Sequence, residues 1–182
     1  MKRILIITAA LLCALTCGAQ SNTKKMDKKI LVAYYSATGT TKAQAEAIAK
    51  AVDATLYEIT PEVKYTAADL DWRNDKSRSS IEMKDAASRP ALGGKTIDAS
   101  EYDVIFVGYP IWWDLCPRVV NTWIESQKLD GKTLIPFATS GSSSIAGSVR
   151  DLRRLYPEVK WQDGKLLNCP AKDAAAWAKA LK

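Results

Sequence analysis

Short unbroken apolar runs alternate with helical periods along most of this chain. Ile30-Leu31-Val32-Ala33-Tyr34-Tyr35 is a continuous apolar run of strand length. Ala45, Ile48, Ala49 and Val52 follow at the i, i+3, i+4, i+7 spacing of one helix face. Lys42, Glu46 and Lys50 fall on another face, four residues apart, where they suit water and pairwise attraction. Leu56-Tyr57-Glu58-Ile59 reads as a second strand closed by Pro61, and Val104-Ile105-Phe106-Val107-Gly108-Tyr109 as a third. Pro117 suits the first turn of a helix carried on by Val120, Trp123, Ile124 and Gln127. Leu134-Ile135-Pro136-Phe137-Ala138 reads as a fourth strand, although its proline cannot donate to a ladder. Ile145, Val149, Leu152 and Leu155 mark the next helix face, residues 161–167 a weaker fifth strand, and Ala174, Trp177, Ala178 and Leu181 a terminal helix.

Strands buried on both faces read as continuous apolar runs, and alternation with helices implies right-handed crossovers. The expectation is an α/β protein with a five-stranded parallel sheet and helices on both faces. Ligands of such sheets bind beyond the carboxyl ends of the strands, which points to the segments after Tyr35, Tyr109 and Ala138. Residues 61–102 break the alternation. They are polar and charged with little periodicity, apart from one expected helix near residues 79–87, and so long a connection is expected to be a functional loop or a poorly packed one.

At 182 residues, with 47% apolar and 25% charged positions, the chain fits one ordinary globular domain. The absence of histidine excludes Ser-His-Asp and Cys-His nucleophiles, imidazole metal sites and a histidine base. Met1-Lys2-Arg3, the apolar run at 4–15 and the small residues Cys17-Gly18-Ala19 read as an export signal cleaved after Ala19. Residues 20–28 then form a polar tether and 29–182 the domain. Ala14-Leu15-Thr16 fits a lipid-anchor signal poorly, so a lipid on Cys17 is the alternative; either way the expected location is outside the cytoplasm, periplasmic in the first instance. Removal of 1–19 lowers the formal charge from +6 to +4, with no dense basic cluster to suggest nucleic acid. Cys116 and Cys169 remain, without CxxC or metal spacing, and are expected as two buried thiols.

Ser36-Ala37-Thr38-Gly39-Thr40-Thr41 follows the first strand, and the helix starts at once. Amides at a helix start point outward and together carry roughly half a positive charge. Hydroxyls add donors, and Gly39 lets the backbone curl close to a ligand, so the loop is suited to a phosphate group. It lacks the Gly-Lys-Ser/Thr of a P-loop and the GxGxxG of a dinucleotide fold. The plainer reading is that Thr40 or Thr41 only caps the helix, which needs one hydroxyl where four are present.

The run Ser-Ala-Thr-Gly-Thr-Thr after an apolar first strand resembles the phosphate loop of flavodoxins, Ser/Thr-x-Thr-Gly-x-Thr. The resemblance extends from Lys29 to the C-terminus and looks closest to bacterial flavodoxin-like proteins with an aromatic Pro-x-Trp loop after the third strand. It implies a three-layer sandwich with strand order 2-1-3-4-5 and FMN as cofactor. Ser36, Ala37, Thr38, Gly39, Thr40 and Thr41 would then hold the phosphate. Pro110, Ile111, Trp112 and Trp113 would cover one side of the isoalloxazine ring, unless the tryptophans pack onto the 61–102 segment or the next helix. Thr139, Ser140, Gly141 and Ser142 would meet the polar edge of the ring, with Ser143 or Ser144 capping the following helix.

Two features depart from the family pattern. The fourth loop carries no tyrosine to close over the ring, and Trp112-Trp113-Asp114 stand where many flavodoxins have a glycine whose peptide turns over on reduction. The chain is also basic where flavodoxins are usually acidic, so a standard cytoplasmic partner is not implied. The expected function is FMN-dependent electron transfer with a redox partner protein or small acceptor. The alternatives are an FMN-dependent NAD(P)H:quinone or nitro reductase, and a binding module for another phosphorylated ligand or for a protein.

Overall fold

The computed structural model describes residues 28–181. The export signal expected at 1–19, Cys17 and all but the last residue of the tether lie outside the described residues. The chain forms β1 (Ile30–Tyr34), α1 (Thr40–Val52), β2 (Thr55–Glu58), β3 (Thr60–Pro61), α2 (Arg78–Lys84), β4 (Leu92–Gly93), β5 (Val104–Pro110), α3 (Arg118–Glu125), β6 (Thr133–Thr139), α4 (Ala146–Leu155), β7 (Lys160–Trp161), β8 (Lys165–Leu166) and α5 (Ala171–Ala180).

The main sheet is parallel in the order β2-β1-β5-β6-β7, with β8 also on β6, as the alternating pattern requires. β1 lies inside the sheet between β2 and β5 with all five residues buried, which explains its unbroken apolar run. Val32, Tyr34, Phe106, Ile135 and Phe137 point to one face, under α1 and α5. Leu31, Ala33, Ile105, Val107 and Leu134 point to the other, under α3 and α4. Cys116 belongs to the second core and Cys169 packs against the first, so the two free thiols stand on opposite sides of the sheet, Cys116 buried and Cys169 only half-buried.

Pro136 explains why the fifth strand is split. Gln162 N donates to Leu134 O and Leu167 N to Ala138 O, so even-numbered positions of β6 face the edge strand. Pro136 lies between them and has no N–H to offer in that direction. The edge strand breaks there into β7 and β8, with Gly164 at the gap, where a side chain would come within 2.7 Å of Ile145 Cδ1 and 3.2 Å of Pro136 Cβ.

The 61–102 segment is folded. β3 and β4 pair antiparallel, Thr60 with Gly93 and Pro61 with Leu92, so the excursion leaves and returns at one place. Between them α2 starts one residue before the expected helix and buries Ser79, Ser80 and Met83, with Ser77 Oγ capping Ser80 N at 3.3 Å.

Candidate functional site

The carboxyl ends of β1, β5 and β6 converge, and each of the three expected loops opens there. In the first, Gly39 is the residue before α1 and has φ +90°, a conformation that L side chains rarely adopt. Its N–H donates to Ser36 Oγ at 3.1 Å, and its carbonyl accepts the first helical bond from Ala43 N at 3.1 Å. No side chain caps α1, so the capping role expected for Thr40 or Thr41 is not what these residues do. The amides of Thr40, Thr41 and Lys42 therefore have no intrahelical partner. Thr38, Gly39 and Thr40 are exposed, and Ser36 and Ala37 half-buried. Lys42 reaches sideways to Glu58 at 3.9 Å, and Glu58 also accepts from Tyr34 OH at 3.1 Å. The donors facing outward are thus uncharged amides and hydroxyls, a set that fits a phosphate ester and needs no cationic side chain.

Thr41 turns its hydroxyl away from this opening. Its Oγ1 lies 2.8 Å from Thr139 Oγ1, and both residues are buried. Ile111 N donates to Thr139 O at 2.8 Å, so Thr139 links all three loops.

The third loop separates its two tryptophans. Trp112 and Leu115 exchange backbone hydrogen bonds of 3.0 Å in each direction, closing a two-residue turn at Trp113 (φ 46°) and Asp114 (φ 64°). Positive φ at both central positions is the geometry of a type I′ turn, which glycine and asparagine usually occupy. Trp113 stands out from it at 45% exposure, a flat apolar surface open to solvent. Trp112 turns inward onto Tyr35 and Tyr65, so the expectation that one tryptophan packs on the 61–102 segment applies to Trp112. Pro110 and Ile111 are half-buried at the end of β5. Gly147, in the first turn of α4, accommodates the turn: a side chain there would lie 3.1 Å from Asp114 O.

The fourth loop is held by the side chains of Asn168 and Ser140. Ser140 N donates to Asn168 Oδ1 at 3.0 Å and Asn168 Nδ2 donates back to Ser140 O. Ser142 N and Ser143 N donate to Ser140 Oγ at 3.3 and 2.9 Å. Two of the amides expected to face the ring edge, those of Ser140 and Ser142, are therefore engaged, as is that of Ser143, which leaves Gly141 and the hydroxyls of the exposed Ser142 and half-buried Ser143. Ile145, not a serine, precedes α4, and no side chain caps that helix.

Asn168, Tyr35 and Tyr65 are site-shaping residues that the sequence reading missed. Asn168 follows the fifth strand, where the strand-end rule would have placed it. Burial raises the phenol pKa values of Tyr35, Tyr65 and Tyr109, Glu82 adding to the effect at Tyr35 and Tyr65. These rings are neutral surfaces at physiological pH. A cavity of about 230 Å³ lies beside the phosphate loop, bounded by Tyr35, Ser36, Lys64 and Tyr65.

Comparison with known proteins agrees with this geometry. The family model described as Flavodoxin matches residues 29–181. A protein of Bacteroides uniformis ATCC 8492 assigned as a flavoprotein is 54% identical, with a TM-score of 0.80 over 84% of this chain and 98% of its own. A counterpart from Bacteroides eggerthii DSM 20697 is 53% identical, with a TM-score of 0.79 over 84% and 97%. A flavoprotein of Lactobacillus acidophilus NCFM, solved in complex with FMN, shares the fold at 22% identity and a TM-score of 0.63, covering 76% and 93%. No curated protein matches the chain at a significant level.

Proposed function

The chain belongs to the flavodoxin family, and on that premise we propose that it binds FMN and serves in electron transfer outside the cytoplasm. The observation that carries the proposal is the start of α1. Three amides without intrahelical partners follow a glycine at φ +90°, beyond the buried strand β1, with no side chain capping them. That donor set suits a dianionic phosphate ester. The fold relative solved with FMN supports the choice of flavin, and the basic, apolar, small-residue order of 1–19 supports export.

In this reading FMN supplies the redox chemistry, and the protein supplies binding, orientation and field. Ser36 and residues 38–42 hold the phosphate. Trp113 offers a stacking surface, where aromatic contact adds roughly 0.5–1.5 kcal/mol beyond burial. Asn168 and Ser140 fix the fourth loop so that Gly141 can approach the ring. The neutral phenols around the third loop exclude water and contribute no charge. No proton relay is required of a chain without histidine.

Titration of the purified domain with FMN tests the proposal. One-to-one binding with quenched flavin fluorescence is expected, followed by reversible reduction in an anaerobic titration. Absence of binding would favour a module for another phosphorylated ligand. The small residues of the fourth loop favour a second reading, because with no aromatic there one ring face is open to hydride transfer. Rapid NADPH oxidation in the presence of a quinone would establish a reductase.

A further inference from the structure

Trp112 and Trp113 are adjacent in sequence and differ in surroundings, and the excursion between β3 and β4 accounts for the difference. Trp112 meets Tyr35 edge-on at 5.8 Å and 89°, and Tyr65 at 5.2 Å and 77°. The two tyrosine rings are 6.0 Å apart. Tyr35 comes from the end of β1, next to the phosphate loop, whereas Tyr65 comes from the excursion.

Tyr65 is fixed in turn. The Arg78 guanidinium carbon lies 4.0 Å from its ring centre, and Tyr65 OH donates to Glu82 Oε2. Arg78 Nε donates to Glu82 Oε1 at 2.6 Å, one turn along α2, and Arg78 Nη1 reaches Val63 O at 2.7 Å. The Arg78 and Glu82 side chains are only 25% and 12% exposed, so this ion pair is shielded where surface pairs are not.

We infer that Tyr65, Arg78 and Glu82 form a positioning cluster for the third loop, one that holds Trp112 side-on against Tyr35 and so fixes the turn that presents Trp113 to a bound flavin. The inference rests on the flavin-binding reading. The turn needs such support at Trp113, a bulky residue held at φ 46°, whereas Asp114 at φ 64° is of a type that accepts positive φ. The turn is pinned at its base by the Trp112–Leu115 pair and from outside by the approach of Asp114 O to Gly147. Release of Trp112 frees the base.

The test compares Tyr65→Ala, Arg78→Met and Tyr65→Phe with the wild type, each checked for folding by far-UV circular dichroism. Loss of an ordered stacking surface is expected to raise the FMN Kd about tenfold in Tyr65→Ala and Arg78→Met and to move the midpoint potential of the bound flavin. Tyr65→Phe keeps the ring contacts and loses only the Glu82 hydrogen bond, so its Kd should fall between those of the wild type and Tyr65→Ala. In apo-protein, acrylamide should quench a larger share of tryptophan emission in Tyr65→Ala, because Trp112 becomes accessible. Folded Tyr65→Ala and Arg78→Met proteins with wild-type Kd, potential and quenching would overturn the inference and leave flavin binding intact. If Tyr65→Ala does not fold, Arg78→Met decides. If the wild type itself does not bind FMN, the flavin reading fails, and unchanged acrylamide quenching in the variants would then overturn the positioning role separately.

Discussion

The hydroxyl oxygens of Thr41 and Thr139 lie 2.8 Å apart in the protein interior, although 98 residues separate them in sequence. One opens α1 at the phosphate loop, and the other ends β6 and accepts from Ile111 of the third loop. Replacing Thr139 with Val keeps the shape and strands the Thr41 hydroxyl, which should cost about 1–3 kcal/mol of stability. Thr41→Val should cost a similar amount. Chemical denaturation of both single variants and the double variant should show clear non-additivity, as for residues in contact. Strictly additive losses would mean that the pair does not couple the loops.

Two glycines near the site are needed for different reasons. A side chain at Gly108 would lie 2.1 Å from Phe137 Cζ, whereas one at Gly39 would meet nothing within 4 Å but must adopt φ +90°. Gly108→Ala should therefore lower stability by about 1–3 kcal/mol or more through overpacking. Gly39→Ala should cost about 1–2 kcal/mol through the backbone alone, with weakened FMN binding as its larger consequence. Thermal melts with and without FMN separate the two cases.

Burial pushes the Cys116 thiol up to about 12, with Asp151 adding to the effect. Cys116 is 2% exposed and Cys169 half-buried. At pH 8 the native domain should titrate one thiol with an aromatic disulfide reagent, and the second should appear only in denaturant. Rapid reaction of both, or of neither after reduction, would contradict the two core positions.

Arg89 grips Glu125 through two hydrogen bonds of 2.8 Å and so ties the end of the 61–102 excursion to α3. The Arg89 guanidinium holds the Glu125 carboxyl below its usual range, against the opposing effect of burial. A folded-state pKa below the unfolded one gives stability that is present above the ordinary glutamate range and is lost as pH falls through the depressed value. Arg89→Met should therefore flatten the acid limb of the stability profile below about pH 4.3. An unchanged acid limb would show that the pair contributes nothing there.

The main sheet was legible in the sequence because its inner strands β1, β5 and β6 are buried on both faces and its helices present apolar stripes, as α1 does with Ala45, Ile48, Ala49 and Val52. Pro136 looked anomalous only until its direction was known, since it faces an edge strand that breaks opposite it. In the excursion α2 was legible to within one residue at its start, but the β3–β4 pairing was not, because two residues on each side are too few to show a strand period. In the candidate site, the first loop's place at a strand-to-helix corner, with Gly39 directly before α1, could be read from local chemistry alone. The separate surroundings of Trp112 and Trp113 could not, because Tyr65 reaches the third loop from about 47 positions earlier in the chain, where no local pattern records it. The engagement of the fourth-loop amides depends likewise on Asn168, from beyond the next helix.

If uncharged donors at the start of α1 recognise the phosphate, FMN and riboflavin should differ in affinity for the same protein, and the difference should vary between pH 5 and 8. FMN should bind at least about tenfold more tightly at pH 8. That advantage should fall as the phosphate takes up a proton near its second pKa of about 6, a change that no histidine of this chain can mimic. Equal affinities for the two flavins, or an FMN preference that does not change with pH, would contradict that recognition.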